Sequence, residues 1–129
     1  MIRYGFKKEL LLPYEEVVAK VTEALKKEGF GILSEINVKD KLKEKLGVDF
    51  NKYIILGACS PPNAYRALQA EPDIGLMLPC NVIVYEMGGK TILAVIRPSA
   101  AMQIIDNKAL QKTAVEVEGI LKKVFDAVT

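Results

Sequence analysis

The two glycines at positions 88 and 89 constrain this chain more than any other feature, because both flanks are strand-like. "CNVIVYEM" precedes them and "KTILAVIR" follows, and a Gly-Gly pair suits a two-residue hairpin turn of the I′ or II′ kind, where φ is positive. A hairpin of that type fixes which residues share a face. Ile83, Tyr85, Ile92, Ala94 and Ile96 fall on one side, and Val82, Val84, Leu93 and Val95 on the other. Both sides are apolar, so one helical layer cannot cover this sheet. Something else must cover the second face, and an identical subunit is the simplest candidate, which makes a homodimer the expectation.

The other elements follow from periodicity. Ile2, Tyr4 and Phe6 alternate with polar residues and predict a strand ending near Leu11. After Pro13, the residues Tyr14, Val17, Val18, Val21, Ala24 and Leu25 form one helical stripe, closed by Lys26, Lys27 and Gly29. "GILSEINV" predicts a second strand with Ile32, Ser34, Ile36 and Val38 on one face, and Asp40 is a plausible N-cap for a short helix closed by Gly47. "KYIILGACS" is apolar on both faces, as an interior strand covered on two sides would be.

A third helix is expected to begin within "SPPN" and run to Glu71; "DIGLMLPC" shows no period and reads as a connection. Asp106 or Asn107 caps a last helix whose stripe includes Leu110, Ala114, Val117, Leu121 and Val124. The order β-α-β-α-β-α-β-β-α predicts an α+β fold: a two-layer sandwich, its sheet mostly antiparallel and twisted, with two long helices on one face.

At 129 residues one domain is expected, spanning 1–129, large enough to bury a core without staples. Half of the residues are hydrophobic and the net charge is only +2, and the basic residues are scattered, so no stripe is visible for a nucleic-acid backbone. The apolar runs are strand-sized, no secretory signal is recognisable, and a cytoplasmic protein without a membrane segment is the expectation.

Histidine is absent, which removes a His general base, the Ser-His and Cys-His arrangements, and His-ligated metals. Two cysteines alone do not complete a zinc site, no phosphate-cradling glycine motif is present, and neither cofactor nor metal is expected. Glu71, Asp73 and Asp106 each have an explanation at a helix end or turn, and Met77, Met87 and Met102 share no register and read as gap fillers.

The candidate chemistry rests on Cys59, Cys80 and Arg97. Counting back from the glycine turn puts Cys80 opposite Arg97, and a neighbouring cation would favour a thiolate. Pro79 and Pro98 mark the end of that ladder, however, and a solvated strand-end arginine is the more common outcome. Cys59 ends a strand just before a helix, where the positive end of the helix dipole lies. For either thiol, packing as a small hydrophobe is the commoner role.

Together "GFGILSEINV", "ILGACSPPNAYRAL", "LMLPCNVIVYE" and "ILAVIRP" resemble the domain of unknown function 302 family over essentially the whole chain. The resemblance implies a two-layer α+β fold similar to half of the TATA-binding-protein architecture, often homodimeric, with recurring cysteines at Cys59 and Cys80 and no established activity. Ser60 stands where that motif favours Asn. No complete catalytic set is visible, which favours a non-enzymatic homodimeric domain that binds a small apolar ligand or a protein partner. The alternative is a thiol site in which Cys59 and Cys80 serve redox, sulfur or soft-metal chemistry.

Overall fold

The computed structural model describes residues 2–129, in which five antiparallel strands form one sheet in the order β1-β5-β4-β3-β2. The strands are β1 (Gly5–Leu10), β2 (Gly31–Asn37), β3 (Tyr53–Cys59), β4 (Cys80–Met87) and β5 (Lys90–Ile96). The helices are α1 (Tyr14–Lys27), α2 (Val38–Leu46), α3 (Pro61–Ala70), α4 (Pro98–Ala101) and α5 (Lys108–Ala127). The expected order is therefore present, with two additions: the four-residue α4, and a 3₁₀ helix over Pro72–Met77 where a plain connection was expected. No helix among the described residues is long and apolar enough to cross a membrane.

The glycine turn sets the centre of the sheet. Gly88 and Gly89 have φ of 60° and 77°, the two positive values of a type I′ turn, and Met87 pairs with Lys90. Val82, Val84, Leu93 and Val95 consequently face α1 and α5 and are almost wholly buried, together with Val17, Val21 and Leu25 of α1 and Val117, Leu121 and Val124 of α5. A second, smaller cluster of Ala67, Ile74, Met102, Leu110 and Ala114 joins α3 to the start of α5. Asn107 caps α5, its side-chain oxygen accepting from Leu110 N at 3.0 Å, while its amide donates to Ala70 O and Glu71 Oε1, tying the two helices end to end.

Three local expectations change. First, β1 starts at Gly5 and not at Ile2: residues 3 and 4 turn, and Ile2 bridges back to Gly5. Second, Asn37 and not Asp40 caps α2, accepting from Asp40 N at 3.1 Å, so Val38 opens the helix instead of closing the strand. Third, the β2–β3 register shifts between Ile32 and Ser34, leaving Leu33 as an extra residue. Ile32 pairs with Ala58 on the helix side, whereas Ser34 and Ile36 pair with Gly57 and Ile55 on the other. An odd residue count across a bulge exchanges faces, which period-two reading cannot anticipate.

Gly57 is required by what lies over it. A Cβ there would stand 2.7 Å from Pro79 Cγ and closer still to Ser34 Oγ. The hydroxyl can rotate away, but the pyrrolidine ring cannot. Gly57→Ala is expected to cost about 1–3 kcal/mol, the usual range for overpacking. Adding Ser34→Ala should recover only a minor part, as urea denaturation of the single and double variants will show; full recovery would place the clash on Ser34 alone.

Candidate functional site

Cys59 ends β3 and Cys80 begins β4, and the ladder between these strands closes on the pair Ala58 and Cys80. The two cysteines are thus brought to one corner of the sheet, beneath the start of α3. Ser60 is the N-cap residue of that helix, but its hydroxyl accepts from the Asn63 side chain at 3.0 Å and makes no bond to a backbone amide. Pro61 and Pro62 fill the first turn, where a missing N–H is harmless.

A cavity of about 40 Å³ lies at this corner, walled by both cysteines, Met102, Phe30, Leu110 and small residues such as Ala64 and Ala114. Its lining is apolar almost throughout. A water needs about 10–15 Å³ by this measure, and pockets for drug-sized ligands run to about 300–1,000 Å³, so this space holds only something very small. Both cysteines are free, Cys80 is buried and Cys59 half-buried. Burial, and then the neighbouring Cys59, push the Cys80 thiol up to about 11, so it is protonated at neutral pH. Among the described residues no group of three or more Cys, Asp or Glu side chains is placed to hold a metal ion.

Arg97 does not help Cys80. The β4–β5 ladder ends at Val82 and Val95, Arg97 N donates to Tyr4 O, and its guanidinium is engaged elsewhere. Nε donates to Glu118 Oε2 at 3.2 Å and Nη1 to Arg3 O at 2.9 Å. The other Glu118 oxygen accepts from Ser99 N and Oγ, at 3.1 and 2.5 Å. The arginine is therefore neither a thiolate partner nor a merely solvated strand end. Its ion pair is mostly shielded from water and joins the N-terminal turn, the start of α4 and the middle of α5.

The uncovered side of the sheet carries the second apolar face expected from the hairpin. Ile36, Ile55, Ile83 and Ile96 remain at least partly accessible there, and Tyr53 stacks on Tyr85 with centroids 4.9 Å apart and planes at 9°. Ile2 and Tyr4 come over one end of this face and complete an apolar hollow of about 150 Å³ against Gly5, Ile83, Ala94 and Ile96. Gly5 lies tight against the neighbouring strand, where a Cβ would stand 3.0 Å from Val95 O, and Ile2 Cδ1 would meet that Cβ in ordinary contact at 3.5 Å. The apolar surplus announced the face; the turn that shapes the hollow left no periodic signal.

The family model for the domain of unknown function DUF302 matches residues 6–128. The chain is also 30% identical to an uncharacterised conserved DUF302 protein from Bacillus stearothermophilus, whose crystal structure agrees with a TM-score of 0.92 over 99% of this chain and 100% of that one. No curated protein matches. With the family model matching all but the ends of the chain and the fold shared over its whole length, this chain belongs to the DUF302 family.

Proposed function

We propose that this chain is a homodimeric binding domain that takes a small apolar ligand on the uncovered face of its sheet. The hollow of about 150 Å³ carries this reading, because a closed apolar space of roughly that size stays dry and accepts benzene, and this open one needs only a cover to become such a space. The hollow opens onto a face of isoleucines and stacked tyrosines, and a second copy packed on that face would close it. The partner is taken to be identical because β1 presents Lys7 and Glu9 at the rim of the same face, and a twofold-related copy can bring its Lys7 to a Glu9 that its own chain pairs with Lys90 at 3.0 Å.

Light scattering at micromolar concentration is expected to give twice the chain mass. Ile83→Glu should weaken the dimer by about 30-fold or more, as loss of a central interface contact worth about 2 kcal/mol does. Benzene titration should shift the amide resonances of Ile83, Ala94 and Ile96, and these shifts should vanish in the variant. A monomer mass for the unmodified chain overturns the dimer, and unmoved resonances overturn the ligand site.

One observation favours a second reading, a thiol or soft-metal site: Cys59, Cys80 and the Met102 residue border one cavity. It is the weaker reading, since a protonated Cys80 is a poor nucleophile and ligand. Alkylation rates against pH for Cys59→Ser and Cys80→Ser separate the two thiols, and a Cys80 that reacts readily at pH 7 would reverse this ranking.

A further inference from the structure

Arg97 borders an open groove that neither thiols nor sheet face explain. One part, of about 430 Å³, is lined by Arg3, Arg97, Ser99, Gln103, Gln111 and Val115. An adjoining part of about 480 Å³ shares Arg3, Ala100 and Gln103 and adds Tyr4 and Ile104. These volumes fall in the range of small-molecule sites, unlike the cavity at the cysteines.

The chemistry of the lining is one-sided. No carboxylate is among the residues that line either part, and Arg3 has no ion-pair partner among the described residues. Glu118 holds Arg97 from behind through Nε, which fixes the guanidinium and leaves its Nη2 group without a partner among the described residues. Two guanidinium charges against one carboxylate leave a surplus of one positive charge. Tyr4, Ile104 and Val115 are 64%, 83% and 60% exposed, so the groove is walled by apolar surface beside that charge.

We infer that this groove binds an organic carboxylate with an apolar body, its carboxylate received by Arg3 and Arg97 and its body lying along Tyr4, Ile104 and Val115. A guanidinium fork matches a carboxylate bidentately, and a single surplus charge suits a monoanion better than a phosphate. Glu118 acts as the positioning residue. Gln103, whose side chain has no partner among the described residues, is the further donor available to the carboxylate.

Octanoate, octanol and inorganic phosphate are the probes, each titrated into the full chain and followed by amide resonances. Octanoate is expected to shift residues 97–104, with octanol and phosphate each binding at least tenfold more weakly. Arg3→Ala should weaken octanoate about tenfold or more, the equivalent of one charge-assisted hydrogen bond, while the thermal midpoint stays unchanged because Arg3 is exposed. Equal binding of octanol, tighter binding of phosphate, or octanoate affinity untouched by Arg3→Ala would overturn the inference. Tyr4 borders both the groove and the sheet-face hollow, and Arg3 only the groove, so Arg3→Ala should leave the benzene shifts of Ile83 and Ala94 in place and the two sites succeed or fail separately.

Discussion

Leu110→Ala is expected to lower unfolding stability by about 3–5 kcal/mol, the upper part of the range for leucine truncation in a core. The reason lies in what surrounds the side chain. Leu110 is fully buried and already borders the small cavity at the cysteine corner, whose other walls include Ala58, Ala64, Ala67 and Ala114. Alanine walls have no rotamers with which to fill a vacated space, and the backbone behind them is held by α3, by α5 and by the sheet. The new space therefore stays open and adds its cavity cost to the lost transfer energy. Urea denaturation of the variant beside Leu68→Ala, which truncates a leucine 41% exposed and should cost under about 1 kcal/mol, provides the measure. A loss below about 2 kcal/mol for Leu110→Ala would mean that the corner collapses and that its cavity is soft.

The fold was legible where one signal dominated. The Gly88-Gly89 turn specified its own register, and with it the buried set Val82, Val84, Leu93 and Val95, because a two-residue I′ loop permits a single pairing. The stripes of α1 and α5 were equally plain. What escaped was decided by single extra residues or by competing caps. Leu33 as a bulge exchanged the faces of Ile32 and Ile36, and Asn37 took the cap expected of Asp40, since both residue types cap equally well. Ile2 alternates correctly for a strand, yet the turn after it folds it back on Gly5.

The candidate site was legible only as a set of residues, not as an arrangement. That Cys59 and Cys80 lie at strand ends beside prolines could be read directly, but their shared corner depends on β3 pairing with β4, a contact between segments that spacing alone does not join. Extending the hairpin register to Arg97 was sound backbone reasoning that failed at the side chain. A guanidinium has a long reach, and Glu118, a full helix later in sequence, offers a charged acceptor where a buried thiol offers none. The Arg3–Arg97 groove had no sequence signature because its residues come from three separate segments.

Between about pH 9 and pH 11 the chain is expected to lose about 2–3 kcal/mol of stability through Cys80 alone. The folded-state thiol is raised from 9.0 to about 11, so the native protein keeps a proton that the unfolded chain releases. The stabilising contribution is complete below the unfolded value and disappears as pH climbs through the folded one. That rise corresponds to about 3 kcal/mol, and Cys80 is buried deeply enough, at 9% exposure, that water does not screen the effect away. Other groups titrate nearby: Tyr14 and Tyr53 are raised by burial and act in the same direction, whereas Lys8 is lowered by burial and acts oppositely. The measurement is therefore a comparison, with urea unfolding of the unmodified chain and Cys80→Ala at each pH. The gap between the two curves should change by about 2–3 kcal/mol in favour of Cys80→Ala over this window, as buried-thiol linkage requires. Parallel curves would show that Cys80 ionises as freely in the folded chain as in the unfolded one, and would reopen the cysteine corner as a place for thiolate chemistry.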